Sequence, residues 1–235
     1  MQKCFNKLYL SEPDRSEMIL RSISKGGYFV EDGKFVVLKH DQKIILNDEN
    51  DILLSVISDG ETKDSFSVPY PLAGYGGGEL LLSLSEQYLI FSYYSGQGDE
   101  AFMLFKIDNC SLELIYESGN LCGEGASYCF SNDEKFLLQT LRTGWWYDES
   151  EAETDKDGNH FYEFGSIRVL DIDKGTLDEH MIHVYPSSNW EEGITDNGPF
   201  ELSKMVNDST FIITMPWGEE TFSFPLEGII TLKMK

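Results

Sequence analysis

Basic residues are scarce in this chain: 18 Lys and Arg stand against 41 Asp and Glu, a formal net charge of -23 over 235 residues. Nucleic-acid backbones and anionic membranes bind through Lys and Arg that displace counterions, so both are expected to be repelled. A basic protein is the favoured partner, because long-range attraction speeds its encounter with an acidic surface. The same acidity also serves solubility. Long apolar runs are missing as well. No stretch approaches the roughly 20 residues that cross a bilayer, and Met1-Gln2-Lys3-Cys4-Phe5-Asn6-Lys7 lacks the apolar segment of a secretory signal. The chain therefore reads as cytoplasmic, where Cys4, Cys110, Cys122 and Cys129 would be reduced thiols serving as small apolar residues.

Catalytic, metal-binding and cofactor motifs are also absent. There is no Gly-x-Ser-x-Gly elbow, and Gly74-Tyr75-Gly76-Gly77-Gly78 lacks the Lys-Ser or Lys-Thr of a phosphate loop, so it reads as a flexible connection. Cys122 and Cys129 lack the second pair a zinc site needs. His180 and His183, three apart in a strand, fall on opposite faces and are poorly placed to share a metal. Glu153-x-Asp155-x-Asp157-Gly158 begins like a calcium loop, but Phe164 occupies the place of its bidentate acid, and Asp-Gly alone makes a hairpin turn. No catalytic residue, metal ligand or cofactor is nominated.

What the chain does have is aromatic surface: 15 Phe, 12 Tyr and 4 Trp within an apolar fraction of 41%. Rings in that number demand burial, so the chain folds. Its length suits a single all-β domain spanning 1–235. A polar turn leading into an aromatic and β-branched run occurs four times, with anchors Phe35, Tyr88, Phe136 and Phe211 separated by 53, 48 and 75 residues. A second strand follows each, at Lys43–Leu46, Ala101–Ile107, Ser166–Ile172 and Thr221–Phe224. Ile107-Asp108-Asn109-Cys110-Ser111-Leu112 matches Ile172-Asp173-Lys174-Gly175-Thr176-Leu177 into the next turn.

On these turns and strands the sequence resembles β-propeller repeats of the WD-repeat and TolB-like kind, from about residue 27 to 235, without the Trp-Asp or Gly-His marks of such blades. The resemblance implies four-stranded sheets around a channel and no particular activity. The expected fold is a small all-β propeller of four or five blades, with a twisted β-sandwich as the alternative. Segments around Lys7–Leu10 and Met18–Arg21 are candidates to complete a fifth blade or to close the ring against Gly228–Leu232.

An insertion at 143–164 breaks the repeat with Gly144-Trp145-Trp146-Tyr147-Asp148-Glu149 and further acids. Long loops in compact domains are functional or disordered, and the bland counterpart is a long hairpin with an acidic tip. Ser187–Gly193, carrying Trp190, Glu191 and Glu192, repeats the theme, as does Met215-Pro216-Trp217-Gly218-Glu219-Glu220. Aromatic anchors ringed by acids suit a basic protein. Trp145, Trp146, Tyr147, Asp148, Glu149, Trp190, Glu191 and Glu192 are thus the expected partner-binding residues of a non-enzymatic module, for example a bacterial inhibitor or immunity protein. A propeller hydrolase or lyase with a carboxylate-lined channel, at least one carboxylate raised in pKa, is the rival expectation. A scaffold subunit with a broad apolar patch is the third.

Overall fold

A computed structural model describes residues 35–37, 43–47, 53–58, 61–67, 79–96, 99–119, 121–122, 124–142, 152–185 and 199–233. Every regular element among the described residues is a strand. The segments around Lys7–Leu10 and Met18–Arg21, the glycine-rich run at 74–78 and Cys4 lie outside them. Contacts divide the chain into two units, one of Leu10–Cys122 and the other of Gly123–Lys235 with Met1–Tyr9.

The first unit holds two antiparallel sheets laid down in chain order. One contains β1 (Phe35–Val37), β2 (Lys43–Asn47), β3 (Leu53–Ser58) and β4 (Glu61–Ser67). The other contains β5 (Glu79–Leu82), β6 (Tyr88–Gly96), β7 (Asp99–Asp108) and β8 (Ser111–Glu117), with β9 (Leu121–Cys122) beside the start of β7. Alternate residues Leu89, Phe91 and Tyr93 of β6 and Ala101, Met103 and Phe105 of β7 join Leu54 and Val56 of β3 in one core, as the two-residue period of a strand requires. Ile90, Phe102 and Leu104, on the opposite face, are buried too. Burial on both faces explains why Leu89-Ile90-Phe91 and Phe102-Met103-Leu104-Phe105 read as continuous apolar runs. The two sheets are tied by Asp64 Oδ2, which accepts the Leu112 N–H at 2.8 Å, and by the edge of Phe66 against Phe105 at 4.9 Å.

The second unit begins with β10 (Glu124–Phe130), β11 (Phe136–Arg142), a short β12 (Glu153–Thr154), β13 (His160–Asp171) and β14 (Thr176–Tyr185). A three-stranded sheet follows, formed by β15 (Glu201–Met205), β16 (Thr210–Met215) and β17 (Gly218–Ser223). The last strand, β18 (Ile230–Lys233), returns to the first of these sheets and pairs with β14 in parallel, giving the order β10-β11-β13-β14-β18 with β12 beside β13. Cys129, Leu138, Ile167, Val169, Ile182 and Val184 form one side of the core, and Phe200, Leu202, Met205, Phe211, Ile213 and Met215 the other.

A buried hydroxyl relay joins the two sheets of this unit. The Leu202 N–H donates to Ser127 Oγ at 2.8 Å, Ser127 and Thr140 share a 2.5 Å bond, and Thr140 Oγ1 donates to the Phe200 carbonyl at 3.2 Å. Replacing Thr140 by Val keeps the shape but removes the middle of the relay. A buried donor or acceptor left without a partner costs about 1–3 kcal/mol, and Thr140→Val is expected to lose that much in denaturant unfolding. An unchanged midpoint would show the relay to be energetically idle.

The repeat is visible in hydrogen bonds. Ser83 and Ser131, both buried, each donate their N–H to the carbonyl of the anchor five residues on, Tyr88 and Phe136, and each hydroxyl accepts that anchor's N–H, at 3.1 and 3.0 Å. Glu86 and Glu134 take positive φ at the same place in the turn. The carbonyls of Gln87, Lys135 and Ser209 accept the N–H groups of Ile107, Ile172 and Phe224. The likeness of 107–112 to 172–177 ends at the hairpin. Asp108 pairs with Ser111 across a two-residue turn, whereas Asp171 pairs with Thr176 across a four-residue one. In the first, Asn109 and Cys110 both take positive φ. In the second, Asp171 binds the Lys174 and Gly175 amides and only Gly175 is left-handed.

Candidate functional site

The expected partner-binding residues Trp145, Trp146, Tyr147, Asp148 and Glu149 lie outside the described residues, as do Trp190, Glu191 and Glu192. The residues that bracket their loops are described, and they meet at the start of β13. Arg142, which leads into the first loop, opposes Gly165. Glu153, just after that loop, opposes Phe161. Tyr185, the residue before the second loop, has its ring 5.8 Å from that of Phe161. Phe200, just after the second loop, sets its edge against Phe164 at 5.1 Å. The third aromatic-acid segment arrives at the same place, because Trp217 in the β16–β17 turn packs against Phe164 at 5.3 Å.

Phe164 makes this convergence. It is the extra residue of a bulge in β13, since Glu163 pairs with His183 and Gly165 with the adjacent Ile182. A bulge bends its strand and re-aims a side chain, and here the ring enters the core among Phe200, Trp217 and the guanidinium of Arg142, 5.3 Å from its centroid. Gly165 follows because nothing larger fits. A Cβ there would lie 2.6 Å from the Leu141 carbonyl oxygen and 2.8 Å from the Phe200 ring.

Next to the bulge, His183 stacks on Phe161 with centroids 4.2 Å apart, and its Nε2 is 3.7 Å from Glu163 Oε1. His180 lies on the other face of β14, with Nδ1 3.2 Å from the Gly228 carbonyl oxygen. Residues 160–164 belong to β13, so the insertion ends earlier than its composition suggests, in a β12–β13 hairpin. The turn of that hairpin is built on Asp155, whose Oδ1 accepts the N–H groups of Asp157 and Asn159 and whose Oδ2 accepts Asn159 Nδ2 and the Tyr185 hydroxyl. Gly158 takes positive φ beside it. Both Asp155 oxygens thus serve the turn, and no cluster of metal-ligating side chains occurs among the described residues.

The Asn159 side chain and backbone N–H, followed by Tyr185 and Asp157, hold the Asp155 carboxyl at a pKa of about 2. A depressed carboxyl contributes stability that is present above its ordinary pKa of 3.8 and is lost as pH falls towards 2. Asp155→Asn is expected to flatten the pH dependence of the melting temperature in that window. An acid melting series identical to wild type would refute the assignment.

Sequence reasoning located the loops but missed what organises their stems, namely Phe161, Phe164, Phe200 and the His183–Glu163 pair. A bulge leaves no compositional mark, although the unbroken run Phe161-Tyr162-Glu163-Phe164-Gly165 out of strict alternation is its trace. Trp217 is half-buried and packs against the core of this unit. Cys129 is buried in the same core, and Cys110 packs against that of the first unit.

The class defined is an all-β protein of several open, mainly antiparallel sheets. No known protein family matches the chain, and no curated protein does. Among solved structures, TolB from Acinetobacter baumannii aligns at 13% identity and a TM-score of 0.27, covering 80% of this chain and 52% of that one. Prolyl oligopeptidase B from Galerina marginata, bound to a 35mer hydrolysis and macrocyclization substrate, aligns at 10% identity and a TM-score of 0.26, covering 83% and 33%. The chain thus spans about half of the first and a third of the second. Likeness at this level transfers neither fold nor activity.

Proposed function

We propose that this chain is a non-enzymatic binding module of propeller type, whose aromatic and acidic loops engage a basic protein. The observation that carries the reading is the meeting of four loop stems, Arg142, Glu153, Tyr185 and Phe200, at the start of β13. Stems held together by a packed aromatic cluster suit a scaffold that carries recognition in the segments it joins. Antiparallel sheets of mostly sequence-adjacent strands, two of which join their first two strands through the same serine turn, support the blade-like reading.

Charge supports the partner's chemistry. Among the described residues, exposed Asp108, Glu113, Glu117, Asp178, Glu219 and Glu227 form no ion pair. Such groups steer a cationic protein, while Trp145, Trp146 and Trp190 supply anchors that lose their water on contact. An inhibitor or immunity protein that occludes a basic toxin is one concrete form.

The test is capture of partners from the source cell's lysate at low and high salt, with wild type and the Trp145→Ala/Trp146→Ala variant. A stoichiometric basic protein is expected, with recovery falling about tenfold or more at high salt because surface attraction is screened, and a similar loss in the variant. Failure to recover any such protein would overturn the reading and turn attention to substrates.

A further inference from the structure

The geometry points to an internal water site in the β10–β11–β13–β14 sheet, held by Gln139 Oε1, Arg168 Nη1 and Ser166 Oγ, which share one face of neighbouring strands. Tyr128, Gln139, Arg168 and Glu179 oppose one another in turn across the four strands, so their side chains form a single row. Ser166 lies two residues from Arg168, on the same face. Gln139 is 1% exposed, Ser166 0% and Arg168 6%. Buried polar groups at this depth are almost always satisfied.

The row is satisfied at its two ends. Gln139 Nε2 donates to the Tyr128 hydroxyl at 3.1 Å. Arg168 gives both Nε and Nη2 to Glu179 Oε1, at 2.8 and 2.7 Å. Its middle is open: Gln139 Oε1, Arg168 Nη1 and Ser166 Oγ have no protein partner. These are an acceptor, a donor, and a hydroxyl able to act as either.

One water completes the set. It accepts from Arg168 Nη1, donates to Gln139 Oε1 and makes its third bond to the Ser166 hydroxyl, the number of bonds a buried water usually makes. An anion fits poorly, because Glu179 already neutralises Arg168 and the Gln139 carbonyl oxygen would repel it. A metal cation is opposed by the guanidinium. The ligand must be neutral, both donor and acceptor, and small. The site stands independently of the partner-binding reading, since Gln139, Ser166 and Arg168 belong to none of the three aromatic-acid segments.

A crystal structure resolving ordered solvent tests it first. One spherical peak about 2.7–3.2 Å from all three atoms is the expected result. A direct Gln139–Arg168 bond with no peak, or elongated density of a larger molecule, would overturn the site. In solution, magnetisation transfer from a long-lived water to the Gln139 and Arg168 amides is expected in wild type. It should weaken in Ser166→Ala, which removes one partner and little volume, and vanish in Gln139→Leu. Should Gln139→Leu fail to fold, Ser166→Ala decides alone: transfer as strong as in wild type would contradict the assignment.

Discussion

Phe164→Ala is expected to destabilise the unit containing Gly123–Lys235 by about 3–5 kcal/mol, the range for truncating a fully buried aromatic ring. The ring is 0% exposed, with the edges of Phe200 and Trp217 on it and Arg142 over its face, so no neighbour is free to collapse into the space. Urea unfolding followed by tryptophan fluorescence measures the loss, and Trp217 reports from the site itself. On the proposed function, the same substitution is also expected to weaken capture of a basic partner even at temperatures where the protein stays folded, because it removes the packing that gathers the loop stems. A loss below about 1 kcal/mol, the size of an ordinary surface change, would mean that the bulge does not organise this end.

Gly165→Ala should cost about 3 kcal/mol, the upper end for overpacking. Its Cβ meets two obstacles of different kinds, the Leu141 backbone oxygen at 2.6 Å and the Phe200 ring at 2.8 Å. A ring can rotate or be shortened. A carbonyl locked in the β11–β13 ladder cannot. Adding Phe200→Leu is therefore expected to recover only part of the loss, and a double-mutant cycle in chemical denaturation separates the two contributions. Full recovery would assign the whole effect to the ring and leave the strand spacing without a role.

How much of this was legible follows from the kind of signal each feature leaves. Strand positions were, because Tyr88-Leu89-Ile90-Phe91 and Phe136-Leu137-Leu138 are apolar runs behind polar turns, and β6 and β11 begin at Tyr88 and Phe136. The serine that fastens each of those turns was not, since Ser83 and Ser131 look like ordinary loop residues until their hydroxyls are seen on the Tyr88 and Phe136 amides. The aromatic-acid loops stood out by composition, yet the meeting of their stems depends on register, and register depends on the one-residue shift at Phe164. The Arg168–Glu179 pair was equally hidden: among 41 acids no single one announces that it faces an arginine three strands into a sheet. The carboxylates of Glu153, Asp155 and Asp157 suggested a cation only because sequence shows the acids and not the amides that occupy Asp155.

The parallel return of β18 to β14 has a practical side. Ile182–Tyr185 would otherwise present an open row of amides and carbonyls along Met181-Ile182-His183-Val184-Tyr185, a stretch rich in β-formers. Open rows of that kind recruit other chains. Ile230–Lys233 covers that stretch and becomes the edge in its place, a strand of four residues instead of ten, and a short edge offers other chains less to pair with.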